Sequence, residues 1–328
     1  MATLQNFEVA VLEDRNTRTA NALLIVNPAS RNALRVVAEA EAALAAAGYS
    51  CERVDTTAPG DATRIVREHA VLAERGFDAI FTLGGDGTAM EAATALSELS
   101  DPPPLGIIPC GTANVLARSI GIPATAMRAV HSLRGAESIT VDLGAIEGGP
   151  SFALGLGVGL DASMIAGTSS ALKRRIGYLA YAVAALRAGL RLERFRAVVD
   201  VDGTRHEAET SSVLIANFGR VLGGRICFGA EINESDGMLD VALYSPRNLF
   251  DAARIFLRML TGSVAKDRCV RIIRGRSIQL TTIPPRPMQA DGEMLGITPV
   301  TVRVQAGALR LLVPRGSRLA TAARKANR

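Results

Sequence analysis

Thr82-Leu83-Gly84-Gly85-Asp86-Gly87-Thr88 limits what this chain can fold into more tightly than any other segment. An apolar, β-rich run at residues 77–83 leads into the glycines, and a segment rich in Ala, Glu and Leu follows. The pattern is strand, glycine turn, helix. Glycine tolerates φ > 0 and lets an anion approach the backbone, while the start of a helix offers unpaired N–H groups and partial positive charge. A phosphate suits such a junction. Asp86 would repel a phosphate directly, so it implies a divalent cation or a hydrogen-bonded network in between. A glycine turn followed by a helix-capping Asp accounts for the same residues without any ligand.

The flanking sequence repeats the alternation. Residues 22–26, 50–55, 77–83 and 105–109 read as strands, and residues 33–47, 61–75 and 88–99 as helices, with Asp61 capping the second. This predicts a parallel sheet covered by helices on both faces, with ligands bound beyond the carboxyl ends of the strands. Asn27, Thr56, Gly84 and Gly111 each follow a predicted strand, so four loops converge on one candidate nucleotide pocket. Past Val141-Asp142 the strand-like runs 152–158, 197–201, 212–217, 239–243, 277–282 and 300–313 dominate. Helical segments near 172–192 and 248–261 interrupt them. The fold expected is α/β: an N-terminal parallel-sheet domain at 20–142 and a C-terminal β-sandwich with helical insertions at 143–313, meeting at a cleft. Residues 1–19 and 314–328 are expected to be loosely ordered extensions.

A chain of 328 residues is long enough for two cores. Lys and Arg exceed Asp and Glu, 37 to 32, which favours an anionic partner: nucleotide, nucleic acid or anionic membrane. Nucleic acid is the poorest of these, because aromatic residues make up 4% of the chain and Trp is absent, leaving few stacking platforms. Cys51, Cys110, Cys227 and Cys269 form no CxxC pair, and His69, His131 and His206 are dispersed. The thiols therefore read as reduced, and no zinc signature exists. The N-terminus lacks the apolar run of an export signal, and the longest apolar helical candidate, 176–186, falls short of the ~20 residues that span a bilayer. A cytoplasmic protein that does not cross a membrane is expected.

Pro109-Cys110-Gly111-Thr112-Ala113-Asn114 repeats the design of the first loop and supplies a second set of donors, or a helix cap by Thr112 or Asn114. Asn27-Pro28-Ala29-Ser30 serves a phosphate or caps the next helix, and Thr56 opens a turn before Asp61. Asp291-Gly292 reads as a hairpin turn. Glu293, a carboxylate beside that tight turn, is well held for accepting a proton. Residues 231–238, with Asn233, Asp236-Gly237 and Met238, suit either a hard cation or a plain Asp-Gly turn. The run Gly155-Leu156-Gly157-Val158-Gly159 invites a dinucleotide reading, but it lies in strand-like sequence with no helix after it.

Together these residues resemble the diacylglycerol kinase catalytic family, in the bacterial branch similar to sphingosine kinases. The matching elements are Asn27-Pro28, Gly60-Asp61-Ala62, Gly84 to Thr88 with Glu91, Pro109 to Asn114 and residues 115–123. They continue through Val141-Asp142-Leu143-Gly144, Gly159-Leu160-Asp161-Ala162, Asp236-Gly237 and Asp291-Gly292-Glu293, so the likeness spans residues 20–313. The glycine motif alone is shared with NAD kinases and phosphofructokinases; the added Gly-Thr-x-Asn and the late Asp-Gly-Glu are more specific.

The resemblance implies a nucleotide-binding domain of the NAD kinase/diacylglycerol kinase type and an ATP- and Mg²⁺-dependent transferase of lipid metabolism. Gly84, Gly85, Asp86, Gly87 and Thr88 would cradle the phosphates, with Asn27, Ser30, Thr56, Thr112 and Asn114 around the nucleotide. Asp86 and Asp142 would organise magnesium, and Glu293 would take the proton from the lipid hydroxyl. Asn233, Asp236 and Met238 match a loop that holds a structural magnesium. Arg31 stands where the family often has glycine, which bears on Ser30. The partner implied is a lipid at a membrane surface, reached by peripheral contact. Residues 173–194 and the basic tail with Arg315, Arg318, Arg324, Lys325 and Arg328 are the segments considered for that contact, with a packed helix and a solvated tail as their alternatives. A monomer and a homodimer both suit the architecture. The competing functions are a kinase of a soluble acceptor such as NAD, and a catalytically silent nucleotide or lipid sensor.

Overall fold

Ala22 to Val26 are five consecutive apolar residues with no solvent exposure at all, and a strand buried on both faces must sit inside a parallel sheet covered by helices. They belong to β1 (Ala20–Val26), which lies between β2 (Tyr49–Asp55) and β3 (Ala79–Gly84). β3 in turn pairs with β4 (Leu105–Pro109), and all these pairings are parallel. The structure, a computed structural model, describes residues 19–71, 76–159, 193–229 and 231–326. The segment expected to be helical near 172–192, Leu160-Asp161-Ala162, residues 1–18 and Arg328 lie outside the described residues.

The chain forms two compact units, residues 1–141 with 307–328, and residues 142–306. In the first, helix α1 (Ala33–Ala46) buries Ala33, Val37, Ala40 and Leu44, the spacing of one helical stripe. Helix α2 (Asp61–Val71) packs beside α3 (Asp86–Leu96). Two short helices, α4 (Val115–Ser119) and α5 (Ala126–Ser132), lead to β5 (Glu137–Ile146), which carries the chain out of the unit. The long strand β18 (Val300–Val313) brings it back, with Leu311 set parallel beside Leu105 of β4. Five strands with helices between them thus form the expected α/β layer.

The C-terminus departs from the expectation. Residues 307–328 belong to the first unit, and the supposed loose tail contains a helix, α7 (Arg318–Ala326). Leu319 and Ala320 are buried, and Arg324 pairs with the carboxylate of Glu137, itself 2% exposed. A basic tail free to reach a membrane is therefore corrected to a docked helix. The signal was present as Leu319 and Ala320 between basic residues.

In the second unit the order is β6 (Ser151–Phe152), β7 (Gly155–Gly159), β8 (Phe195–Val201), β9 (Thr204–Thr210), β10 (Ser212–Ala216), β11 (Arg220–Val221) and β12 (Ile226–Cys227). After these come β13 (Leu239–Tyr244), a helix α6 (Leu249–Thr261), β14 (Val270–Gly275), β15 (Ser277–Ile283), β16 (Pro287–Ala290) and β17 (Glu293–Ile297). One antiparallel sheet runs β14-β13-β10-β7-β16-β17; facing it, the first half of β18 continues through β15 and β8 to β9. Val158, Val213, Ile215 and Val241 of the first sheet meet Val199, Ile278, Leu280 and Val302 of the second in one core. This is the β-sandwich. Strand alternation decides what lies outside it: Leu214 and Ala216 turn the other way and pack with Ile255 of α6.

An ion pair fastens α6 to the loop that precedes β14. Arg254 donates to Asp267 (Nε to Oδ2, 2.9 Å) and to Asp251 (Nη1 to Oδ1, 2.6 Å), and both acids are buried. The Arg254 hydrogen bond holds the Asp267 carboxyl below its ordinary range, against the effect of burial. A lowered carboxylate pKa stabilises the fold above the unfolded-state value, about 3.9, and that contribution fades as pH falls through the lower folded-state value. Asp267→Ala is therefore expected to cost about 2 kcal/mol or more at neutral pH, and clearly less near pH 3. Urea unfolding of both proteins at the two pH values measures it.

Candidate functional site

Gly85 links β3 to α3 as the extended N-cap, so Asp86, Gly87 and Thr88 form the first turn of the helix. This places the helix start two residues earlier than the sequence periodicity does. Against this turn lies the second loop. A Cβ on Gly111 would stand 2.7 Å from the Cα of Gly85 and 2.8 Å from Oδ1 of Asn114, closer than real Cβ atoms come. The two glycine loops therefore meet backbone to backbone.

Polar side chains lock this junction. Asn114 has φ of +47°, and its amide both accepts from Gly111 N–H and donates to the Gly111 carbonyl, each at 3.0 Å. The Asp86 carboxylate accepts the Leu116 N–H at 3.0 Å, with Asn114 and Val115 amides beside it. Asp86 thus caps α4 from the neighbouring loop. Burial raises its pKa, and the backbone amides oppose that shift. Asn27 bridges from β1: its Nδ2 donates to the Thr88 hydroxyl at 3.0 Å and its Oδ1 accepts the Ala29 N–H at 3.0 Å. Cys110 is buried beside the junction, and burial pushes its thiol up to about 11, so it is an inert spacer there.

Thr56 follows β2 at the same carboxyl edge, its N–H bonded to the Val26 carbonyl. Its loop is held by Glu91 of α3, whose carboxylate accepts the N–H groups of Gly60 (2.9 Å) and Ala62 (3.1 Å). Asp61 closes the same turn by accepting from Thr57 and Ala58, and those bonds hold its carboxyl well below the usual range. Glu91 is the residue here whose positioning role sequence reasoning passed over. Ser30 is half-buried, while Arg31 and Thr112 are exposed. The structure thus brings Asn27, Gly84 to Thr88 and Gly111 to Asn114 into direct contact, with Thr56 on the same sheet edge.

Asp142, Asp236 and Asp291 to Glu293 belong to the second unit and form a group of their own. Asp142 is 2% exposed, and its carboxylate accepts the Gly237 N–H at 2.7 Å. Asn217, fully buried, donates to the carbonyls of Asp142 and Ala153. Asp291 and Gly292 have φ of +48° and +96°, the conformation of a two-residue hairpin turn joining β16 to β17. The turn is only part of their role. The Asp291 carboxylate accepts three successive N–H groups, from Ala153 (2.7 Å), Leu154 (2.9 Å) and Gly155 (3.0 Å). Glu293 opens β17 immediately after this anchored turn; it is exposed, and among the described residues no hydrogen bond or ion pair reaches its carboxylate. It is the one carboxylate of this group not committed to the backbone. The glycine run 155–159 is strand β7, which closes the dinucleotide reading.

The loop proposed from sequence to hold a cation has an arginine beside it. Arg274 lies 3.5 Å from Oδ2 of Asp236, donates to Asp240 at 3.2 Å and donates to the Glu231 carbonyl at 2.7 Å. Asn233 Oδ1 accepts the Ser235 N–H and Asp236 Oδ1 the Met238 N–H. Of the residues expected to hold a divalent ion, Asn233, Asp236 and Met238, the Asp236 carboxylate thus lies beside the Arg274 guanidinium. Among the described residues no cluster of three His, Cys, Asp or Glu side chains has metal-binding proximity.

The Gly85–Gly111 approach makes a sharp demand. Gly111→Ala should destabilise the first unit by about 1–3 kcal/mol through forced separation of the loops. Gly76→Ala, where a Cβ meets open space, should stay within about 0.5 kcal/mol of wild type. Thermal unfolding of the two variants compares them.

Residues 21–146 match the diacylglycerol kinase catalytic domain, and residues 155–313 match the YegS C-terminal NAD kinase beta sandwich-like domain. A protein of Pseudomonas fluorescens named "Probable lipid kinase YegS-like" is 30% identical, over 85% of this chain and 91% of its own. A diacylglycerol kinase of Bacillus subtilis is 29% identical, over 77% of this chain and 82% of its own. The chain also matches, at 30% identity, an uncharacterized Synechocystis protein, of whose length it spans 54%. The crystal structure of a diacylglycerol kinase from Bacillus anthracis superposes with a TM-score of 0.71 at 24% identity, covering 92% of this chain and 99% of that one; this shows a shared fold. The two glycine loops and the anchored Asp-Gly-Glu turn thus lie in two consecutive matched domains, and the chain belongs to the diacylglycerol kinase and YegS-like lipid kinase family.

Proposed function

We propose that this chain is an ATP-dependent kinase of a lipid hydroxyl, with Glu293 as the general base. The observation that supports it most is the paired-glycine junction in a chain of lipid kinase family. A bare backbone junction suits a polyanion, because N–H groups can face it without a Cβ in the way.

In this reading Gly84 to Thr88 and Thr112 face the phosphates, while Asn27, Ser30 and Thr56 border the nucleotide. Asp86 acts as a positioning residue: its hold on the Asn114–Leu116 amides keeps the second loop against the first. Asn114 does the same by ringing Gly111. Asp142 positions the Asp236-Gly237 turn in the second unit. A magnesium ion arriving with ATP would neutralise charge on the β- and γ-phosphates, the main electrostatic need of phosphoryl transfer. Since Asp86 and Asp142 are engaged with backbone amides, the phosphates themselves would supply most of its ligands, which is common for magnesium.

Glu293 has the chemistry of a base: it is open to an incoming hydroxyl, and Asp291 fixes the turn it stands on. The lipid oxygen attacks the γ-phosphorus, the bond to ADP breaks, and the hydroxyl proton passes to Glu293. Losing such a base lowers turnover by ~10²–10⁴-fold. Labelled ATP with Mg²⁺ is therefore offered to diacylglycerol, a sphingoid base and NAD, with Glu293→Ala beside the wild type. The expected result is labelled lipid, lost in the variant, with ATP affinity unchanged. Near-wild-type turnover in the variant would remove Glu293 from the mechanism. Label on NAD alone would change the acceptor, and no label despite ATP binding would favour a sensor.

A further inference from the structure

Helix α6 (Leu249–Thr261) is apolar on two opposite sides. Ile255 faces the sandwich, packed with Leu214, Ala216 and Tyr244. Half a turn away, Phe250 is 85% exposed, Leu257 60% and Leu260 48%, with Leu249 at 38%. Positions 250, 253, 257 and 260 repeat at three and four residues, so Phe250, Ala253, Leu257 and Leu260 share one outward face. Large side chains exposed singly need no explanation, but a contiguous apolar stripe does.

The charge around this stripe identifies its partner. Residues 245–271 contain the basic residues Arg247, Arg254, Arg258, Lys266, Arg268 and Arg271 and only the acids Asp251 and Asp267. Both acids are buried, and each is ion-paired with Arg254. No acidic side chain of this segment therefore reaches its surface. Arg254 and Arg258 stand next round the helix from Phe250 and Leu257, Arg247 precedes the helix, and Lys266 lies in the short 3₁₀ turn after it. The Arg268 side chain is 80% exposed beside Asp251 at the first turn.

We propose that α6 is the membrane-docking face of the second unit, laying Phe250, Leu257 and Leu260 into an anionic lipid surface while the basic rim meets the headgroups. An apolar face bordered by Lys and Arg, with no acid exposed, is the pattern of a helix lying in a bilayer interface. A second copy of the chain fits poorly, since a two-fold contact through this stripe would bring the basic end with Arg247 and Arg268 toward the basic end with Lys266. The proposal deepens the lipid-kinase reading by giving it a route to the bilayer, but its test does not use that activity.

The experiment is flotation of the full chain with vesicles, without nucleotide. Wild type should bind vesicles of mixed phosphatidylglycerol and phosphatidylcholine and lose binding at high salt, because headgroup attraction is screened. A Phe250→Ser, Leu257→Ser double variant should bind at least about tenfold less, since each change removes exposed apolar surface alone. A Lys266→Glu, Arg268→Glu variant should lose binding to the anionic vesicles. Thermal unfolding within a few degrees of wild type confirms that both variants fold. Equal binding by wild type and the double variant, or no wild-type binding, would overturn the proposal. So would a wild-type dimer in sedimentation that the double variant disperses without losing vesicle binding, which would assign the face to self-association. Failure of kinase activity with vesicle binding intact would leave this surface standing and refute only the catalytic reading.

Discussion

The approach of Gly85 to Gly111 is the contact on which the first unit's loops depend. Two backbones can come this close only because Gly111 carries no side chain: a methyl group there would have to overlap the Gly85 Cα. Close approach alone leaves amides unpaired. Asp86 resolves this by accepting amides at the start of α4, and Asn114 resolves it by closing a ring on Gly111. Acid and amide in the two motifs therefore serve the backbone first. Their arrangement occupies the Gly111 backbone with Asn114 and leaves the part-exposed backbone of Gly85 and Gly87 for a polyanionic ligand.

The second unit uses the same device with different residues. Asp291 gathers the amides of Ala153, Leu154 and Gly155, Asp142 takes the amide of Gly237, and Asn217 ties the carbonyls of Asp142 and Ala153. Segments far apart in sequence are tied into one piece, because a carboxylate with several N–H donors is costly to detach. Glu293 stands at the edge of that piece with its carboxylate exposed. A base that must meet an incoming hydroxyl needs this combination of a fixed backbone and an open side chain.

The glycine loops, the parallel strands and the sandwich were legible in the sequence because each leaves a local mark: apolar runs of five or six, glycines after strands, an alternating strand pattern. What could not be read there is long-range. Residues 307–328 return to the first unit, a pairing of Leu311 with Leu105 that no local pattern encodes. The sequence left a cation and a hydrogen-bonded network both open for Asp86 since its partner amides lie 30 residues ahead, and Asp291 looked like a simple turn residue since its partners lie more than 130 residues behind. The Arg274 neighbour of Asp236, 38 residues ahead, is hidden for the same reason. The outward stripe of α6 has helical spacing in the sequence, but exposure on that side is known only once Ile255 is seen to face the sheet.

Hydrogen exchange of individual amides, with and without Mg²⁺ and ATP, tests the central claim most directly. If the glycine junction receives the phosphates, amides of Gly85 to Thr88 and of Thr112 should gain protection, while the Gly111 and Leu116 amides, already held by Asn114 and Asp86, should change little. Saturating ATP that leaves the junction amides exchanging as before, while protecting another region, would contradict it.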